Sequence, residues 1–558
     1  MGSIRFAMPA SSTNVRDCEY ATHPPSPEPA HPLGRVRIGN RNPDAGCVLW
    51  WLMLAMVATL LLAPLLITDV PPVLDYPNHL ARLVLLHAGP DDAVLGPVFS
   101  PHWTIIPNLA IDVIGTPLLG VLPVHVAGRT LLGGILLLNL AGAVALHRAL
   151  FGRRSYWPLG SALVAYNCTF LLGFLNWAIG SGLAMLCAAV WLTWRERRPV
   201  ATILAASVAS VLLFFCHLMG LAFFLVLIGS AELHAARTNR GVAGRAAGLL
   251  AVGAGPVMLS LLTTLRDVPA SMHWMNLYDK TLQVATPFIN YDLPLDLFSV
   301  TVVYGGIILG IATGRLVVAP RAVVALLAVV AAYLVLPFDL KGASFLDTRF
   351  AIMAGWLVFA VIDPVVPRPI AWRLVAVGGM VLFLVRMGVL ADAWTDHRRD
   401  LADLRSVIAD VPPGAAVYVT NVPRDEAPAY WDAGPRSRRL SNTLRMDYHQ
   451  SALLLIERGA FWPGLFANPA QQPIRLRADY DRLALAARHM PSHAGLVAEP
   501  DTALPALLGF DYVLMLEAGA DPNLTGFVPR CLLLVARTDF AALFRVMRDA
   551  PACAGGPS

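Results

Sequence analysis

Lysine is almost missing from this chain of 558 residues: Lys280 and Lys341 are its two examples, and arginine supplies the other cations. Charge of either sign is also scarce, at 14% of residues against about 25% in a typical soluble domain. With 56% hydrophobic residues and a mean hydropathy of +0.60, that scarcity excludes an ordinary soluble fold and points to an integral membrane protein. No CxxC or metal-ligand spacing links the seven cysteines, so no haem, zinc or redox site is implied. Internal repeats and the inverted symmetry of secondary transporters are lacking too. The net charge of +5 comes from arginines dispersed among loops, which is no signal for nucleic acid. A chain so rich in alanine, with arginine in place of lysine, suits a GC-rich bacterial genome.

What the chain has instead is hydrophobic runs. Residues 1–46 are polar and proline-rich and read as a disordered cytoplasmic tail. The run 47–67 follows Arg35, Arg37 and Arg41, is long enough to span and lacks a small-residue cleavage site, so it reads as an uncleaved first span. A long loop at 70–125 comes next. Its semi-apolar part, 105–122, carries Pro107, Asn108, Asp112 and Pro117, which suits a helix lying at the interface. Further spans are expected at 127–147, 157–172, 174–194, 200–216, 219–234, 246–265, 298–314, 322–337, 350–366 and 371–391, about eleven in all. Thirteen arginines, from Arg148 to Arg373, then fall in the short loops on one side, against six cationic residues on the other. The positive-inside rule therefore places the N-terminus in the cytoplasm and the 70–125 loop outside.

Hydropathy collapses after Trp394. Residues 395–558 predict a helix at 401–408, strands at 416–420, 512–516 and 532–535, and a helical run at 478–489. The expected fold is an α-helical polytopic membrane protein, its transmembrane part at 47–394, with a small C-terminal extracytoplasmic α/β domain. An oxidising compartment would permit a Cys531–Cys553 bridge there.

The stretch 70–82 concentrates polar residues. Asp75, His79 and Arg82 sit where prolines stiffen the entry to a helix, and Asp75 and His79 can meet at its start. The plainest role for Asp75 is to cap that helix. Other polar residues reach the same outer side: Asn167 and Asn176, His217, then Asp267, His273 and Lys280, and finally Asp339, Lys341, Asp347 and Arg349. Each has a dull reading as an interfacial ion pair or a satisfied core histidine. Together they suggest a cleft with carboxylates on one side and Lys/Arg on the other, which fits a phosphorylated lipid donor. Arginine and lysine would hold the phosphate. A carboxylate would take a proton from the attacking hydroxyl or bind a divalent cation.

In its layout the chain resembles the GT-C superfamily of polyprenyl-phosphate-sugar-dependent glycosyltransferases, which includes protein mannosyltransferases and lipid A aminoarabinose transferases. The shared layout is an inside N-terminus, one span, a long outer loop with an acidic residue, many further spans and an outer C-terminal domain. The resemblance implies Asp75 as the catalytic or metal-associated acid and Lys341 and Arg349 as contacts to the lipid phosphate. Many members carry two adjacent acidic residues in that loop. Here Asp75 is followed by Tyr-Pro-Asn-His, and the pair Asp91-Asp92 lies beyond the helix. The expected site is then Asp75 and His79 as catalytic residues, with Arg82, His217, His273, Lys280, Lys341, Asp347 and Arg349 binding substrate. The expected activity is transfer of a sugar from an undecaprenyl-phosphate-type donor, at the periplasmic face of a bacterial inner membrane, to a glycolipid, polysaccharide or protein. A flippase for lipid-linked glycans and a non-catalytic assembly protein are the alternatives. Spans nearly free of charge count against the flippase.

Overall fold

A computed structural model describes residues 43–238, 241–263, 271–340, 343–365, 369–421, 436–488, 507–520 and 531–549. Residues 1–59 form one unit, of which the start of the helix Pro43–Leu62 is described. Leu60–Ser558 forms the other. Among the described residues eight helices are long and apolar enough to cross a membrane: Gly46–Leu66, Val124–Phe151, Leu175–Trp194, Pro199–Cys216, Leu218–Arg237, Val242–Leu262, Leu293–Ala312 and Ala371–Ile408. The protein is a multi-pass, mostly helical membrane protein.

Three of the eleven expected spans fall short of that length, and each is irregular or short. The run 157–172 is a 3-10 helix, Trp157–Val164, followed by one α-turn, Cys168–Leu171. Pro158 starts the former, and the Asn167 side chain caps the latter by accepting from the Phe170 N–H. Every residue from 161 to 173 is buried, so protein rather than lipid surrounds this irregular backbone. Val323–Val335 has 13 residues and Leu346–Ala360 has 15. At 1.5 Å per residue these cover only about 20 Å of a core near 30 Å. The expected spans 322–337 and 350–366 are thus short apolar helices, Val323–Val335 and Leu346–Ala360, packed on their neighbours along the path of the chain.

Small residues set the closest packing. A methyl group on Gly180 would lie 3.3 Å from the Gly220 backbone, which lets Leu175–Trp194 and Leu218–Thr238 touch along their backbones. Loops then gather in two groups. One joins the ribbon Leu316–Val318 to Ile362–Pro364, with Asp363 receiving Arg153 and lying 3.3 Å from His147. The other joins the 70–125 loop to the later turns: the Leu74 N–H donates to the Leu171 carbonyl and the Leu109 N–H to the Phe215 carbonyl.

The last long helix, Pro369–Ile408, runs 40 residues without a break. It absorbs the helix expected at 401–408 and passes straight through residue 394. Beyond it stands a four-stranded sheet in the order Val417–Asn421, Tyr512–Leu516, Ala541–Val546, Leu532–Arg537. The first pair is parallel and the others antiparallel. A separate ribbon pairs Phe99–Pro101 with Ile474–Leu476, tying the first long loop to the C-terminal region. Cys531 is disulfide-bonded, while Cys553 lies outside the described residues.

Candidate active site

The helix Tyr76–Ala88 opens on Asp75, with Pro77 in its first turn, as the proline pattern predicts. Asp75 occupies the N-cap position, yet its carboxylate makes no capping bond. It lies instead 2.9 Å from Nδ1 of His449, 374 positions further along the chain. Both side chains are partly open to solvent.

One turn later His79 is held at both ring nitrogens. Nε2 donates to the Gly173 carbonyl at 3.2 Å, and Nδ1 accepts from the Arg82 guanidinium at 3.1 Å. A carbonyl can only accept and a guanidinium can only donate, so these partners fix the neutral Nε2–H tautomer. Burial first, and the Arg82 charge second, push the His79 pKa well below its usual value. Arg82 spends its charge on Asp112 through two bonds of 2.6 and 3.0 Å, both groups fully buried. Asn78 points the other way. Its amide donates to the Gly464 carbonyl and accepts from the Phe466 N–H, each at 2.8 Å, and so fastens the C-terminal region onto the helix.

The Gly173–Phe174 turn lies between Asp75 and the remaining candidates. Gly173 has φ +85°, and a Cβ there would sit 2.7 Å from both the backbone N and the Cβ of Asp75. The Phe174 ring carries the Arg349 guanidinium 4.8 Å above its centroid. Arg349 is 93% buried in effect, at 7% exposure; its Nε has no hydrogen-bond partner, and no carboxylate among the described residues pairs with it. Its backbone N–H donates to the carbonyl of Phe345 at 3.3 Å. That residue has φ +60°, a costly left-handed conformation for a bulky side chain, and its ring packs on Phe174 and Phe338. His217, in the turn between two spans, accepts the Met219 N–H at Nδ1, which leaves Nε2–H as its free donor. It is near enough to Arg349 for the charge to be felt.

The other candidates are occupied elsewhere. Lys280 donates to the Leu336 carbonyl at 2.8 Å and lies 3.4 Å from Asp347, both side chains buried. His273 is exposed on the two-residue strand Met272–His273, facing Asp339 at 3.7 Å. Lys341 and Asp267 lie outside the described residues. Arg82–Asp112 and Lys280–Asp347 therefore pair opposite charges, although Arg82 Nη1 and Asp347 Oδ2 are left without hydrogen-bond partners, whereas Arg349 faces no carboxylate among the described residues and the imidazole of His449 keeps one nitrogen open. Among the described residues no three His, Cys, Asp or Glu converge on one point, so the side chains present do not by themselves form a site for a divalent cation.

His449, Phe466 and Asp112 gain their importance here from contacts the sequence does not display. His449 sits in the polar run Met446-Asp-Tyr-His-Gln450, and that polarity beside tyrosine is its one local signal.

No protein-family model matches the chain, and no curated protein matches it. Among solved structures it is similar to the cryo-EM structure of arabinofuranosyltransferase AftD from Mycobacteria, with 16% identity and a TM-score of 0.44. The match covers 88% of this chain and 40% of that one, so the chain spans less than half the length of that structure.

Proposed function

We propose that this protein is a membrane glycosyltransferase that moves a sugar from a polyprenyl-phosphate donor to an extracytoplasmic acceptor. The observation carrying this reading is Arg349: a buried guanidinium with no carboxylate among the described residues, stacked on Phe174, across the Gly173 turn from Asp75. A buried charge without a partner is costly, so such a position implies an anion that arrives with the substrate. The planar fork of arginine suits a phosphate, and His217 Nε2–H adds a neutral donor beside it. As the bond to the anomeric carbon breaks, negative charge grows on that phosphate, and the cation stabilises it. On the other side the Asp75–His449 pair supplies the acceptor for the proton of the attacking hydroxyl. Attack opposite the leaving phosphate inverts the anomeric centre. His79 and Arg82 brace the helix that bears Asp75 against the Gly173 turn, and the Lys280–Asp347 pair anchors the start of the helix that bears Arg349.

The charge bias of the loops supports an N-terminus in the cytoplasm and residues 395–558 in the periplasm of a bacterial cell, the eight long helices and the three shorter apolar segments together giving an odd number of crossings. A glycolipid, polysaccharide or protein would meet the site from the C-terminal region. Purified protein in nanodiscs, supplied with a panel of polyprenyl-phosphate hexoses and pentoses and a membrane extract, tests the proposal. Release of polyprenyl phosphate is expected with one of these donors and should fall roughly 100-fold or more in Asp75→Asn and in Arg349→Gln. Folded wild type that consumes no donor, yet moves a lipid-linked glycan across proteoliposomes, would make it a flippase.

A further inference from the structure

Resting on the transferase reading, we propose that His449 is the residue that takes the proton from the attacking hydroxyl, and that Asp75 orients it. The carboxylate meets the imidazole at Nδ1, 2.9 Å from Oδ1. A carboxylate at that nitrogen keeps the proton on Nδ1 and leaves Nε2 as the basic one. Nδ1 is buried, whereas Nε2 has no hydrogen-bond partner among the described residues and the side chain is 21% exposed. The aromatic edges of Phe466, at 4.9 Å, and Trp462, at 6.0 Å, hold the ring in this direction. The Asp75 oxygen lies close to Nδ1 but off the N–H axis, so that nitrogen makes no aligned hydrogen bond. Catalytic bonds in unliganded sites are often loose in this way and tighten around the substrate.

Two neighbours remove the competing assignments. His79 has both nitrogens occupied and cannot accept a proton without breaking a bond. Asp75 makes no capping bond, and among the described residues its carboxylate meets His449. In the reaction the acceptor O–H gives its proton to Nε2 while the oxygen bonds to the anomeric carbon. The carbon–oxygen bond to phosphate breaks, and its electron pair leaves with the lipid phosphate. The donor diester, with one negative charge, becomes a monoester with two beside Arg349. The imidazolium formed is balanced by the Asp75 carboxylate and loses its proton to water from the exposed Nε2 side.

Chemical rescue provides the test. His449→Ala should lower sugar transfer roughly 100-fold or more, and added imidazoles should restore part of it at rates that rise with imidazole pKa. Transfer near the wild-type rate in His449→Ala, or rescue indifferent to imidazole pKa, would overturn the proposal. So would rescue of Asp75→Ala by formate when His449 is absent, because the carboxylate would then be the base. A second measurement needs no turnover. Diethylpyrocarbonate acylation, mapped by mass spectrometry, should label His449, spare His79, and slow at His449 in Asp75→Asn. An unlabelled His449, or equal labelling in both proteins, would reject the pair. If wild type consumes no donor, the transferase reading fails while the labelling still judges the His449–Asp75 pair.

Discussion

His79 shows how a histidine in a polar cluster can be kept from titrating. The Gly173 carbonyl and the Arg82 guanidinium require its neutral form, and burial lowers its pKa well below 6.5. The unfolded chain takes up that proton near pH 6.5 and the folded chain does not. Stability from this residue is therefore complete above about pH 6.5 and declines as pH falls below it towards the folded pKa. His79→Gln keeps a donor for the Gly173 carbonyl but cannot titrate. Thermal unfolding in detergent at a series of pH values should show a shallower loss between pH 7 and 5 in this variant than in wild type. Equal slopes in both proteins would mean that His79 is hydrated and able to charge. Among the candidates, then, the same residue type serves two purposes: His79 braces the backbone, and His449 presents an open nitrogen.

At the scale of elements, the site depends on turns more than on helices. The turn at Gly173 couples the α-turn Cys168–Leu171 to the helix Leu175–Trp194 and touches Asp75, while Phe174 beside it supports Arg349. Gly173→Ala meets two obstacles: φ is +85°, and the new methyl would approach backbone atoms of Asp75 at 2.7 Å. Backbone cannot yield as a flexible side chain would, so the substitution should cost more than about 1 kcal/mol and abolish transfer by displacing Asp75. Gly134→Ala is the control, since a Cβ there meets nothing within 4 Å and the residue lies in the helix Val124–Phe151. Thermal shift and transfer rate measured for both variants decide the point. A fully active Gly173→Ala would detach the turn from the site.

For the whole molecule, the question is what holds the C-terminal region against the membrane part. Besides Asn78, a half-buried hub does this: Arg405 binds Asp69 through two bonds, at 2.6 and 3.2 Å, and Glu457 at 2.6 Å, and Glu457 also receives His125 at 2.9 Å. Burial alone would raise the pKa of both carboxyls, but the bonds to Arg405 at Asp69, and to His125 and Arg405 at Glu457, bring them below the ordinary carboxylate range. Their contribution is present above about pH 4 and is lost as pH falls further, a window separate from that of His79. Arg405→Leu leaves two acids without their shared cation. It should make the segment bearing His449 more susceptible to limited proteolysis, with transfer falling in parallel. Unchanged proteolysis would place the anchoring elsewhere, first at Asn78.

The membrane class, most of the apolar runs and three of the four strands of the sheet were legible because they are local. Hydropathy, loop charge and two-residue alternation need no distant partner. The strand Ala541–Val546 escaped notice since it opens on two alanines, and its place inside the sheet comes from neighbours on both sides. The short crossings were legible as apolar but not as short, because only surrounding protein makes a 3-10 backbone tolerable there. Asp75 and Arg349 stand out in the sequence by residue type alone. What folding decided was which charges are spent. Arg82 and Lys280 resemble Arg349 in the sequence, and only the tertiary structure gives the first two carboxylate partners and, among the described residues, leaves the third without one. It likewise brings His449 to Asp75 across 374 positions, a distance that no periodicity encodes.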